Sequence, residues 1–177
     1  GNLLWQSTVG AEVLARPIVA DERIIVRTGD GQVIGLDKNS GTVSWRLRNN
    51  VPSLSVRGLS VPVQVDKIVV VGYASGHLSG IDTESGRELW KTPISRPRGS
   101  NQIDRLIDID ADPLIAGNRL FVAAYQDKVY AISLTAQKVE WKMPRSTLRN
   151  LAVSDNELLI TLDDGVVVAL DQKTGIE

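Results

Sequence analysis

One ruler fits most of this chain, and few folds can satisfy it. Tryptophans stand at positions 5, 45, 90 and 141. Counting back 28 residues from the last three meets Pro17, Pro62 and Pro113. Counting back 14 meets Gly31, Gly76 and Asp127, and counting back eight meets Asp37, Asp82 and Ser133. Counting back four meets Gly41, Gly86 and Gln137. A fourth copy keeps Leu151, Gly165, Asp171 and Gly175 in register, and its tryptophan would fall at position 179, two residues past Glu177. A fixed period of this size is the signature of a repeat architecture.

Each unit holds four short apolar stretches, in the first RPIVA, RIIVRT, QVIGLD and TVSWRL, parted by the turn residues ADE, GDG and KNSG. Short β-branched runs between evenly spaced Gly and Asp turns predict antiparallel strands. The second strands, KIVVVGY, RLFVAAY and ELLITL, do not alternate apolar with polar. Such runs predict burial on both faces. Four-stranded antiparallel units that cover one another are propeller blades. The fold class is therefore all-β: about four propeller blades, half of an eight-bladed ring. The blades fall at about 11–50, 51–95 and 96–145, with an incomplete one at 146–177 and the last strand of a preceding one at 1–10. Gly41, Gly86 and Gly175 are expected at positive φ in tight hairpins. Gln137 occupies the same place, so its turn should be strained or built differently. Trp5, Trp45, Trp90 and Trp141 are read as packing residues between blades, each ring contributing roughly 3–5 kcal/mol. The alternative, a ligand platform, fits less well with a spacing that follows the repeat.

The ends fall at the same turn of different blades, which suggests a piece of a larger ring. Blade faces left open would be apolar, so such a piece is expected to self-associate through them. Hydrophobic residues make up 42% of the chain, and 20 basic side chains balance 21 acidic ones to a net charge of −1. That balance argues against nucleic acid and against an anionic membrane surface. No cysteine is present and only one histidine, His77. Disulfides, thiol catalysis and cysteine-ligated metals are thereby excluded, and no nucleophile–base pair is available. His77 reads as an exposed turn residue. No catalytic residue, cofactor or metal is expected.

The unequal parts of the repeat lie between each tryptophan and the next proline, over 12, 17 and 23 residues. These insertions gather at one corner of each blade, on one face, where repeat arrays carry their binding surfaces. The first is NNVPSLSVRGLS and the second SRPRGSNQIDRLIDIDAD. In an extended segment Leu54 and Val56 share a side. Turned to solvent beside Arg57, they would be an interface anchor; turned inward, they would fill the space under the loop. In the second insertion Asp104, Asp108, Asp110 and Asp112 cluster around Arg105. A helix–loop–helix calcium site would need Gly and Glu where Pro113 and Arg119 stand, so solvated carboxylates or an acidic partner-binding rim fit better.

The stretches GDGQVIGLDKNSGTVSW, ASGHLSGIDTESGRELW and LDDGVVVALDQKTG resemble the pyrroloquinoline-quinone (PQQ) type repeat, which also builds quinoprotein dehydrogenases. Those enzymes use a vicinal disulfide, which a chain without cysteine cannot form. VPSLSVRGLSVP and SNQIDRLIDIDADP look like the two signature loops of the BamB family of outer-membrane assembly lipoproteins. That resemblance implies a non-enzymatic, eight-bladed periplasmic scaffold, held at the outer membrane by an N-terminal lipidated cysteine that this chain lacks. It implies binding to the POTRA region of BamA and support for insertion of β-barrel proteins. Carried over position by position, the implied partner-binding residues are Leu54, Val56, Arg57, Asp108 and Asp110. The family usually has Leu where Val56 stands, a mild change that keeps an apolar contact. The alternatives are a quinoprotein-like enzyme fragment and a chaperone that binds unfolded outer-membrane clients by strand augmentation.

Overall fold

In the computed structural model the described residues are 1–49, 60–73, 75–94, 109, 111–124, 127–145, 147, 149–162 and 164–177. They form antiparallel meanders and contain no helix. The first sheet is β1 (Ile18–Ala20), β2 (Arg23–Arg27), β3 (Gln32–Asp37) and β4 (Val43–Arg48). The second is β5 (Val63–Val65), β6 (Ile68–Tyr73), β7 (His77–Asp82) and β8 (Glu88–Pro93). The third is β9 (Leu114–Ala116), β10 (Arg119–Ala123), β11 (Val129–Ser133) and β12 (Lys138–Met143). The last holds β13 (Ala152–Ser154), β14 (Glu157–Thr161) and β15 (Val167–Asp171). These sheets are consecutive blades of a partial β-propeller, the architecture the repeat predicts.

The core lies between blades rather than within them. Successive side chains of a strand point to opposite faces. Val69 and Val71 of β6 therefore join Ile25, Val33 and Trp45 of the first blade. Val70, between them, joins Leu120, Val122 and Ile132 of the third. On β10, Phe121 faces Leu158, Ile160 and Leu170 of the last blade. An unbroken apolar run is thus two alternating half-strands, each buried against a different neighbour. On β14 the burial alternates instead, with Leu158 and Ile160 buried and Glu157 and Thr161 exposed. That strand packs against a described blade on one side alone. The outer apolar side chains there stay open, with Val167 65% and Ile176 69% exposed.

Every complete blade has the same irregularity before its last strand. The register shifts between Gly35 and Leu36, between Gly80 and Ile81, and between Ala131 and Ile132. One residue is inserted opposite each, a β-bulge that sharpens the local twist. The following hairpins match the expected conformation: Gly41, Gly86 and Gly175 have φ of +71°, +72° and +69°. Gln137 takes φ +54° and its N–H donates to Ser133 O at 2.8 Å, as Gly41 N–H does to Asp37 O at 2.9 Å. The third blade therefore keeps the same turn and carries the strain.

Those glycines serve a second purpose that no turn rule predicts. A Cβ on Gly86 would lie 2.4 Å from the Trp45 ring of the preceding blade, and one on Gly175 would lie 2.6 Å from Trp141. A Cβ on Gly41 would lie 2.3 Å from Trp5, a residue in a segment with no assigned strand. Within its own blade Trp45 also lies on Gly35, and Trp90 on Gly80, where a Cβ would approach to 2.2 and 2.1 Å. The recurrent Gly-x-x-x-Trp spacing is therefore a chain of seats. Three of the four blades offer a bare glycine to the indole that precedes them, Gly41 to Trp5, Gly86 to Trp45 and Gly175 to Trp141; the third carries Gln137 at that position.

His77 is not an exposed turn residue. It opens β7 opposite Pro93, half-buried, with Nδ1 2.9 Å from Ser75 O. Its turn is instead made by Gly76 at φ +73°.

Candidate protein-interaction face

In an antiparallel meander, the links from the last strand of one blade to the first of the next leave from the same end as the turns between second and third strands. Both insertions therefore rise from one face of the propeller. Leu54, Val56, Arg57, Asp104, Arg105, Asp108 and Asp110 lie outside the described residues. The feet of both loops are described, and they meet.

The foot of the first loop is Ser60 and Val61; that of the second is Ile109, Ala111 and Asp112. The Val61 N–H donates to Asp112 Oδ1 at 2.7 Å. Asp112 is held in turn from the next blade: its own N–H donates to Asn150 Oδ1 at 3.0 Å, and Asn150 Nδ2 donates to Asp112 Oδ2 at 3.3 Å. Asp112, grouped with the acidic cluster by sequence, is therefore a bracket between three blades and not a free rim carboxylate. Beside it Ile109 is buried, 3% exposed, and packs on bare Gly72, where a Cβ would lie 2.7 Å from Ile109 Cγ2 and 3.3 Å from Ser60 Oγ. A side chain at position 72 would push the two feet apart.

Arg27 completes this junction from the first blade. It ends the apolar strand β2 and is 4% exposed. Its Nη1 donates to Ser60 O at 2.6 Å and to Ser60 Oγ at 3.1 Å, and its Nη2 donates to Gly72 O at 2.7 Å. The guanidinium stands 5.6 Å from the Tyr73 ring centroid, within cation–π range. Burial pushes the Tyr73 hydroxyl up to about 12, so the ring stays neutral. Sequence reasoning missed Arg27, although a signal was present. Ten residues past each repeat start, Arg27 stands where the other units have Gly72, Ala123 and Thr161. A lone guanidinium at the end of a buried strand must reach acceptors.

Among the described residues no group of His, Asp or Glu is placed to hold a metal ion. What the face offers is a rigid base. Two loops of unequal length spring from adjacent corners whose feet are tied by hydrogen bonds and one buried isoleucine. The repeat residues Trp5, Trp45, Trp90, Trp141, Gly41, Gly86 and Gly175 lie away from this junction, at the blade interfaces.

The comparisons agree with this architecture. The family model described as "Outer membrane protein assembly factor BamB" matches residues 1–177. The assembly factor BamB of Yersinia pestis is 29% identical over 176 residues, covering 99% of this chain and 45% of that protein. The crystal structure of BamB from Moraxella catarrhalis superposes with a TM-score of 0.91 at 29% identity, over 98% of this chain and 53% of that one. A quinohemoprotein alcohol dehydrogenase from Pseudomonas putida superposes with a TM-score of 0.77 at 16% identity, covering 99% of this chain and 35% of that one, a likeness of fold alone. The chain spans about half the length of the BamB proteins it matches. With its whole length inside the family model, this chain belongs to the BamB family of outer membrane protein assembly factors.

Proposed function

We propose that this chain is part of a non-enzymatic scaffold of the outer-membrane β-barrel assembly machinery, working at the periplasmic face of the outer membrane. It binds the POTRA region of BamA through the loops at 51–59 and 95–112 and so supports insertion of barrel proteins. Leu54 and Val56 supply the apolar anchor, Arg57 the fork of donors, and Asp108 and Asp110 the carboxylates. The observation that carries this reading is the 2.7 Å hydrogen bond from Val61 to Asp112, which brings the exits of both loops to one point. A mixed patch of that kind, apolar at its centre and charged at its rim, is what a standard protein interface needs.

The test is Arg57→Glu in the intact protein, followed by pull-down of BamA and by thermal melting. Capture should fall by tenfold or more, about 1.4 kcal/mol or greater, with the melt unchanged. Unchanged capture removes Arg57 from the interface, and a collapsed melt makes its role structural.

A further inference from the structure

The blade junctions are alike except for one, and it lies on the face opposite the loops. Trp5 Nε1 donates to Lys38 O at 3.2 Å, Trp45 Nε1 to Thr83 O at 3.0 Å, and Trp141 Nε1 to Gln172 O at 3.0 Å. Each indole thus rests on a glycine of the next blade and caps a backbone carbonyl beside it. Trp90 does neither. Where the next blade would offer a glycine stands Gln137, in the same positive-φ conformation as Gly86 but carrying a Cβ, and Trp90 Nε1 has no acceptor among the described residues.

A second change accompanies the first. Between the first two blades Thr83 Oγ1 donates to Asp21 Oδ2 at 3.1 Å and ties the turns together. One blade on, Asp21 corresponds to Asp66 and Thr83 to Leu134, which has no hydroxyl to give. The Asp66 carboxylate is exposed, with no hydrogen bond or ion pair among the described residues. The adjoining turn carries Gly117 at φ +57° where the other blades carry Asp21, Asp66 and Asp155 at +53°, +50° and +49°. The junction is therefore open: a cleft of about 520 Å³ is lined by Val65, Ile68, Val70, Leu134 and Trp90, with polar Asp66, Asn118, Thr135 and Gln137 beside them. Its counterpart between the first two blades is about 370 Å³, is lined by Asp21, Glu22, Arg23, Lys67, Thr83 and Glu84, and does not reach Trp45.

An apolar floor with one unused donor and one unused acceptor at its edge matches the needs of an extended polypeptide backbone. We propose that the cleft between the second and third blades binds an extended, apolar segment of a partner protein. One of its side chains rests on Trp90, a backbone carbonyl accepts from Trp90 Nε1, and a backbone N–H donates to Asp66. This site is separate from the loop face and does not depend on BamA binding there.

The test uses the intact protein with its indole N–H signals resolved by NMR, and the capped peptide acetyl-Ser-Val-Leu-Val-Ser-amide as probe. The Trp90 N–H should exchange with solvent faster than those of Trp5, Trp45 and Trp141. Its signal should shift saturably with peptide while the other three stay in place. Gln137→Gly should seat Trp90 on the Leu134 carbonyl, slow its exchange and weaken the peptide about tenfold or more. Asp66→Asn, on an exposed side chain, should weaken the peptide without moving the Trp45 or Trp141 signals. A slow-exchanging Trp90, the absence of a saturable shift, or an affinity unchanged by Asp66→Asn would overturn the proposal. The last criterion decides the matter if Gln137→Gly disturbs folding.

Discussion

Trp45 of one blade lies on the bare backbone of Gly86 in the next, and its indole N–H caps Thr83 O 3.0 Å away. The pair explains why glycine is needed at position 86 for two separate reasons. The turn requires φ +72°, and the ring leaves no room for a Cβ.

The two reasons can be separated by substitution. Gly165 also has positive φ, +86°, but nothing lies within 4 Å of its absent Cβ. Gly165→Ala should cost only the backbone strain, about 1 kcal/mol. Gly86→Ala should cost that and the displaced ring as well, roughly 2–4 kcal/mol in denaturant unfolding. Equal costs for the two would show that Trp45 yields freely and that the seat does not hold the blades.

Arg27 should matter to the loop face without standing on it. Replacing it with Met leaves Ser60 O and Gly72 O without their buried donor, at about 1–3 kcal/mol for each unmet group. Arg27→Met should lower stability by a few kcal/mol and raise amide exchange at Ser60 and Gly72 above that of the distant β14. Arg27→Lys should recover only part of this, because one ammonium cannot reproduce the fork that reaches two carbonyls. Loss of stability with no local rise in exchange would make Arg27 an ordinary core residue.

Acid should act at the hairpins before each last strand. Asp37 Oδ1 accepts from the N–H groups of Asn39 and Ser40 and from Ser40 Oγ; Asp171 does the same with Lys173 and Thr174, and Asp82 Oδ1 accepts from Ser85 N–H and Ser85 Oγ. Hydrogen bonds from Ser40, Ser85 and Thr174 hold these three carboxyls below the ordinary value of 3.8. Their folded-state values are depressed, so their contribution is complete above pH 3.8 and is lost as the pH falls through the lower, folded values. In the third blade Ser133 Oγ accepts from Ala136 N–H at 3.1 Å instead, and that turn carries no such carboxylate. Asp82→Asn should therefore flatten part of the acid limb of a stability–pH curve, and Ser133→Ala should leave its shape alone. An acid limb unchanged by Asp82→Asn would place the acid sensitivity elsewhere.

Much of the fold was legible because the repeat carries it. The runs Val69–Val70–Val71 and Leu120–Phe121–Val122 announced burial on both faces, and the turn glycines announced their hairpins. The seating of each tryptophan on the following blade was not legible, since a ruler along one chain does not reveal which neighbour a ring meets. Gln137 was noticed as an exception of backbone, whereas its larger consequence is the unseated Trp90. For the opposite reason, Arg27 gives no local sign of its role, and Asp112 reads as one more carboxylate of the acidic cluster. Each looks ordinary in its local window, and its partners lie 33 and 51 residues away. The loop residues that the family resemblance singles out, Leu54, Val56, Arg57, Asp108 and Asp110, lie outside the described residues, so the legible part of that face is its tied base.

The central claim is that two unequal loops form one surface for BamA. Amide hydrogen exchange of the intact protein, with and without the POTRA region of BamA, tests it most directly. Protection should appear together in the peptides covering 51–60 and 103–112 and should be absent from the hairpins at Asp37, Asp82 and Asp171 on the opposite face. Protection confined to one loop, or centred on those hairpins, would contradict the account.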